Sequence, residues 1–510
     1  MLFFITYQNY RFDFRDENQE VLISCSSDFI VDFVIPRTVK EIYSESDINF
    51  AFMNCIYTIK SIKFEENSEI MSISNYSFYR TSIESADLSN CNKLTLLNGS
   101  IFEYCDQLKT VLLPQYISSI GISCFYSNDA LISIVLPDSV KTIYEYAFSD
   151  SGLTTINISK NSKLNKLDSG CFSRTNLSTF FIPKSLNEIY PSAFHGCQYL
   201  NNITVDPENI YYKSDSKSLF SGVGNSTLVR VVPKYSDSEY IVPIYVTNIS
   251  EYCFSYVNIS SIHLHDKITR IANFTFYSCI SLTNITIPNS VTYIGNDAFN
   301  DCISLTNITI PNSVTYIGDS AFWNCRSLTN ITIPNSVTYI GDWAFWNCRS
   351  LTNITIPGSV TYIGEGAFRF CGSLNNITFL NNVNSIRIGS ELFLGIQNPL
   401  NIYIPGRFIL DNNDNYFKIF PIDSILYITN QTVLSDKCRY LFGEKSVHVH
   451  FYSTTKLSDQ TTINVLQYIS IESISILLEI PKTRRKKVLY QRKIFHLTNF
   501  IISLNIGAAS

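Results

Sequence analysis

Charge is scarce in this chain. Asp, Glu, Lys and Arg make up only 16% of its 510 residues, and the net charge is −5. That balance offers no general footprint for a nucleic-acid partner. A hydrophobic content of 45% supplies ample material for a core and excludes overall disorder. Among 14 cysteines no two form a CxxC pair, which excludes zinc-ribbon and thioredoxin-type spacings. No run reaches the roughly 20 apolar residues a membrane-spanning helix needs. Ile463–Ile480 is interrupted by Glu472 and Glu479, and Ile494–Ala509 contains His496, Asn499 and Asn505. The start, MLFFITYQNYRFDFRDENQ, has no basic segment, and its apolar run stops after about six residues, so it does not read as a secretion signal. A nucleophile–base–orienter set, a phosphate loop and paired catalytic carboxylates are also missing. The expectation is a protein without enzymatic machinery, cofactor or metal.

What the chain does have is a period. ISLTNITIPNSVTYIGNDAFNDC (280–302) is followed by three near copies, at 303–325, 326–348 and 349–371. The phenylalanine of the Ala-Phe pair recurs upstream as Phe102, Phe125, Phe148, Phe172, Phe194, Phe254 and Phe276, and the proline of the Ile-Pro pair as Pro114, Pro137 and Pro183. Val34-Ile35-Pro36 fits more loosely, and Glu391-Leu392-Phe393 with Ile404-Pro405 are the last decayed copies. A fixed period in this range marks a stacked array.

One copy shows how a coil is built. Leu305–Ile310 alternates and is rich in β-branched residues, so it reads as a short strand. Pro311 ends it, because proline cannot donate to a strand ladder. Gly318 permits a sharp turn. Asp319 is placed to cap one helical turn carrying Ala321, Phe322 and Cys325. The inward set is Leu305, Ile308, Ile310, Val314, Ile317, Ala321, Phe322 and Cys325. A single coil cannot bury this set or satisfy its strand, so stability must come from stacking on neighbours. Consecutive strands then run parallel about 4.8 Å apart, and identical residues form columns.

These residues resemble the BspA-like, or Treponema pallidum-type, leucine-rich repeats, whose pattern runs roughly L-x-x-I-x-I-P-x-S-V-T-x-I-G-x-x-A-F-x-x-C. Residues 303–325 match every defined position, and the likeness covers about 34–405. The resemblance implies a right-handed repeat solenoid of 23-residue coils, α/β in class, with short parallel strands and short helical or 3-10 turns. It implies an N-terminal flank or cap at 1–33, the solenoid at 34–405 and a non-repeat region at 406–510. Residues 205–254 look like the hairpin-like insertion the family carries, at about 205–245. Such proteins occur on surfaces of host-associated bacteria and parasitic protists and are associated with adhesion. The implied function is a surface adhesin or antigen-like binding solenoid with a protein ligand. An intracellular scaffold is the alternative that the missing export signal favours.

Candidate ligand-binding residues fall in several columns. The strand face carries Thr286, Thr309, Thr332 and Thr355 beside an Asn column, readable as a polar platform or as a solubilising ladder. Tyr293, Tyr316, Tyr339 and Tyr362 form an aromatic column, joined by Trp323, Trp343 and Trp346. Tyr and Trp are enriched at binding hot spots, although the tyrosines could equally stack to shield the coil edge. His263 and His265 alternate in SIHLHD and should both face the exposed side; two histidines alone are a weak metal signal. The column Cys279, Cys302, Cys325, Cys348 and Cys371 reads as buried free thiols, since one small apolar residue is wanted at that place in each coil. The repeat generates N-x-S/T sequons at Asn284, Asn307, Asn330, Asn353 and Asn376, while Asn98, Asn225 and Asn430 are isolated ones. Lys482-Thr-Arg484-Arg485-Lys486-Lys487 could contact anionic lipid, act as a nuclear signal or simply be a solvated end segment.

Overall fold

The computed structural model describes residues 11–232, 237–380, 386–396 and 398–404, together with strand segments 3–6, 407–408, 424–428, 433–434, 448–453 and 464–469. His448 and His450, which alternate in sequence as His263 and His265 do, lie in one of these strands, but their side chains are outside the described set. Asn430, the Lys482–Lys487 run and the tail 494–509 lie outside the described residues altogether.

Each coil lays down two short strands in two different parallel sheets. In the third copy of the repeat these are Asn330–Thr332 and Tyr339–Ile340. Register is exact between copies: Asn284 pairs with Asn307 and Asn307 with Asn330, while Tyr293, Tyr316, Tyr339 and Tyr362 pair in succession. A period-2 strand admits this only when the alternating residues keep their faces, and they do: each Asn-Ile-Thr strand is exposed, buried, exposed. All eight inward positions of 303–325 are buried, none more than 6% exposed.

The coil closes without a helix. Among the described residues the only helical segments are two 3-10 turns, Met53–Cys55 and Val223–Asn225. In place of the helical turn expected at 319–325, Ser320 and Asn324 take left-handed φ values of 52° and 61°. The hydrogen bonding explains the difference. The N–H groups of Ser320, Phe322 and Asn324 donate to the carbonyls of Asp342, Ala344 and Trp346 in the next coil, at 2.7–2.8 Å, while those of Ala321, Trp323 and Cys325 donate three residues back. Alternate donors therefore point along the solenoid axis, which an α-helix forbids. Asp319 does not cap its own turn either. Its Oδ1 accepts the N–H of Asp342 at 3.0 Å, one step of a chain in which the side chains of Asn273, Asn296, Asp319 and Asp342 each accept a backbone N–H of the coil after, ending at Glu365.

Gly318 is required for closeness rather than for a special φ. A Cβ there would lie 2.5 Å from the carbonyl carbon of Gly295 and 2.6 Å from the backbone N of Asn296, and Gly341 and Gly364 repeat the contact on the following coils.

The buried side chains form two clusters that meet at residues 212–232. Here strands Tyr212–Ser214, Ser218–Ser221 and Thr227–Val231 pair antiparallel, and the last rejoins the parallel array through Asn248–Ile249. At the other end, Phe3–Thr6, Arg11–Phe14 and Val21–Ser26 are antiparallel and lead into the first parallel pairing, with Glu41–Ile42. Beyond the last recognisable repeat motif, Ile425–Ile428 and His448–Ser453 prolong the parallel sheet begun by Asn353–Ile356.

Candidate binding surfaces

The candidate residues lie on separate sides of the coil. Thr286, Thr309 and Thr332 are consecutive rungs of one ladder, and His263 precedes them in the same register. Thr355 begins the next ladder, paired with Thr378. Tyr403 and Tyr427 follow, with rings stacked at 4.6 Å. All four candidate threonines and His263 are exposed. The neighbouring Asn column is partly self-engaged: Asn376 Nδ2 donates to Asn353 Oδ1 at 2.6 Å and Asn401 Nδ2 to Asn376 Oδ1 at 2.9 Å.

The two histidines part company. His263 stands on the strand face with Nε2 3.2 Å from Ser261 Oγ and 3.6 Å from Glu239 Oε2. Both partners meet the same ring nitrogen, so this is no nucleophile–base–orienter relay. His265, expected on the exposed side, turns into the bend that follows. Its Nδ1 accepts the N–H of Lys267 at 3.3 Å, which leaves Nε2–H to donate to the Pro243 carbonyl at 3.0 Å. It is half-buried and holds a turn.

The tyrosine column belongs to the second sheet. Its rings stack face to face at 4.9, 4.6 and 4.8 Å, with interplanar angles of 8°, 6° and 11°. Arg270 covers the free face of Tyr293 at 5.5 Å, and Arg387 is the register partner of Tyr362 at the other end. The ring faces between neighbours, and the outer face of Tyr293, are thus occupied, and there the column offers edges and hydroxyls. Burial, reinforced by Asp319, pushes the Tyr316 phenol up, and burial with Asp342 does the same for Tyr362. Tyr362 also donates to Asp342 Oδ1 at 3.2 Å.

The tryptophans occupy the turn side. Trp323 and Trp346 stack at 4.5 Å and 2°, and Phe370 meets Trp346 edge-on at 5.4 Å. Trp343, 41% exposed, lies over Gly366, where an added Cβ would come within 2.8 Å of its Cδ1. Beside this edge opens a groove of about 420 Å³ lined by Asn347, Arg349, Phe370, Gly372, Ser373, Gly395 and Asn398. Arg349 Nε is held by Asn347 Oδ1 at 2.7 Å, and Asn347 Nδ2 donates to Asn324 Oδ1 at 2.5 Å. Sequence reasoning overlooked these polar residues. Their signal was the recurrence of Asn before the column cysteine and of Arg after it.

The column thiols are buried. Sγ of Cys302, Cys325 and Cys348 donates to a phenylalanine carbonyl one coil upstream at 3.2 Å. Burial pushes the thiols up, to about 12 for Cys279 and Cys371. Among the described residues no three His, Cys, Asp or Glu side chains gather as a metal site, and no helix is long and apolar enough to cross a membrane.

Stacked parallel coils with in-register columns and a 23-residue period define a leucine-rich repeat solenoid. The chain belongs to the BspA type leucine-rich repeat family, whose sequence profile matches residues 24–151, 118–231, 247–355, 293–418 and 319–444. No curated protein sequence matches the chain. Several solved structures are similar. A leucine-rich repeat protein from Eubacterium ventriosum is 18% identical, covering 76% of this chain and 93% of its own, with a TM-score of 0.50. A leucine rich cell surface protein from Faecalibacterium prausnitzii is 25% identical over 74% of this chain and 94% of its own, with a TM-score of 0.49. The pneumococcal vaccine antigen PcpA is 18% identical over 80% and 99%, with a TM-score of 0.48.

Proposed function

We propose that the chain is a non-enzymatic binding solenoid that engages a protein ligand through its strand face, in the manner of a surface adhesin or antigen-like protein. The observation that carries this reading is the strand face itself. His263, Thr286, Thr309 and Thr332 stay exposed in a continuous register, Thr355 is exposed at the start of the next ladder, and a buried isoleucine backs each rung. A rigid flat array of this kind suits a macromolecular partner, whose interface needs an extended area rather than a cleft. Family membership supports protein binding as the general role. We assign residues 1–33 as the N-terminal flank or cap, 34–405 as the binding solenoid and 406–510 as a non-repeat C-terminal region, of which Ile425–Ile428 and His448–Ser453 prolong the solenoid's sheet.

The turn edge with Trp343, Trp346 and the adjoining groove is the second contact region, since Phe370 and Trp343 are its exposed aromatics. The tyrosine column serves the solenoid more than the ligand, because its ring faces are covered.

Full-length protein carrying Thr309→Arg and Thr332→Arg tests the reading. Both sites are exposed, so the circular dichroism spectrum and melting midpoint should be retained while binding to intact host cells falls at least tenfold. Retained cell binding in that variant rules the strand face out. Wild-type protein that binds only cytosolic extract, together with surface labelling that needs permeabilised cells, would establish the intracellular scaffold instead.

A further inference from the structure

The cysteine column has an irregular first member. Cys105 and Cys197 each donate Sγ–H to the phenylalanine carbonyl one coil upstream, Phe78 and Phe172, at 3.0 Å, as Cys279 does to Phe254. Cys55 stands three residues after Phe52, the same spacing. Upstream of the coil that carries Cys55, however, the described residues form only the antiparallel strands Phe3–Thr6, Arg11–Phe14 and Val21–Ser26. The place of the missing carbonyl is taken by Cys25, in strand Val21–Ser26. The two Sγ atoms are 2.6 Å apart and both residues are fully buried. Even unbonded carbon atoms settle at about 3.5–4.0 Å, so two separate thiols are crowded at this distance. The backbone already joins the two segments: Cys25 N–H donates to the Ala51 carbonyl at 2.9 Å.

We propose that Cys25 and Cys55 are an oxidisable pair whose disulfide staples the N-terminal strands to the first coil. The oxidant is a disulfide compound such as glutathione disulfide. The Cys55 thiolate attacks one sulfur of the oxidant, whose S–S bond breaks and releases one thiolate. The Cys25 thiolate then attacks Cys55 Sγ, displacing the second thiolate, and the two protons lost by the cysteines end on the two released thiols. Cys55 suits the attacking role, because the S–H of Cys25 donates to it and lowers its pKa, while burial raises that of Cys25. The column thiols bond to carbonyls instead of to one another and stay reduced. The staple has a structural purpose: an end coil lacks a neighbour on one side, so a solenoid frays from its ends unless they are capped.

The test refolds the full-length chain from urea with glutathione disulfide, or with dithiothreitol, then quenches, denatures, alkylates and digests it. After oxidant, Cys25 and Cys55 should be recovered as one linked peptide, about 2 Da lighter than the sum of the two free thiol peptides, and the melting midpoint should rise relative to the reduced protein. Cys25→Ser and Cys55→Ser should each fold and lose the oxidant-dependent rise. Recovery of Cys25 and Cys55 as separately alkylated peptides from folded, oxidant-treated protein overturns the proposal. So does an unchanged midpoint rise in Cys25→Ser.

Discussion

His195 sits where the phenylalanine ladder breaks. Phe172 stacks on Phe194, and Phe254 meets Phe276 at a tilt of 33°, but between Phe194 and Phe254 the insertion intervenes. The imidazole is enclosed edge-on by Tyr252, Tyr256 and Tyr277 at 4.8–5.4 Å, and its buried Nδ1 has no hydrogen-bond partner. Burial, with the Arg230 and Arg174 cations adding, lowers its pKa from 6.5 to about 4. The unfolded chain therefore binds more protons between those values. The neutral ring's contribution, at most about 3 kcal/mol, is fully present above pH 6.5 and is lost as pH falls toward 4. His195→Gln should flatten the fall in melting midpoint across that window, measured by a pH series of thermal scans. Glycine gives a second test at this scale. Gly341→Ala should cost about 1–3 kcal/mol, because the new Cβ meets the backbone N of Asp319 and the carbonyl carbon of Gly318 at 2.5 Å. Gly372→Ala meets nothing within 4 Å and should leave urea stability unchanged or slightly raised.

At the scale of one coil, the unit of structure is the full 23-residue copy rather than any strand within it. Every strand hydrogen bond and every outward donor of the turn is made to a neighbouring coil, so only removal of a whole copy conserves the pairing. Deleting 326–348 joins Cys325 to Arg349 and reproduces the junction already present between Cys348 and Arg349. That variant should fold with an unchanged spectrum per residue. Deleting only 326–337 shifts every later column and should give a protein that is aggregated or partly unfolded by light scattering and circular dichroism. Sequence patterning disclosed the strands and the inward set, since alternation and period are local properties. It misassigned the turn as helical because Asp-x-Ala-Phe reads as a capped helix start, whereas the partner of every second amide lies 22 residues away and is invisible to local pattern.

Across the whole molecule the insertion at 212–232 divides the buried residues into two clusters. Arg230, only 4% exposed, bridges the seam by donating Nη1 to the Tyr252 carbonyl and Ser255 Oγ, both at 2.8 Å, while its Nε stays unpartnered. Such a seam is a natural weak point, since a buried cation with incomplete partners costs stability that apolar packing would not. All three tryptophans, Trp323, Trp343 and Trp346, lie on coils whose buried residues belong to the second cluster. Urea unfolding followed by tryptophan fluorescence should therefore have a midpoint distinct from that followed by circular dichroism. Coincident curves would show that the seam transmits cooperativity.

The solenoid, its period, its inward residues and the exposure of its strand columns are all legible in the amino-acid order, because each follows from repetition and from the two-residue alternation of a strand. How the columns are used depends on the stacking of one coil on the next. It covered the tyrosine faces with one another and with Arg270, turned His265 into a bend, sent the turn amides along the axis and left the Thr column open. Those outcomes depend on which side chain of the next coil arrives at each place. For the same reason the seam at Arg230 and the meeting of Cys25 with Cys55 came from the stack and not from any one coil: both lie where the repeat is interrupted and its own rule supplies no neighbour.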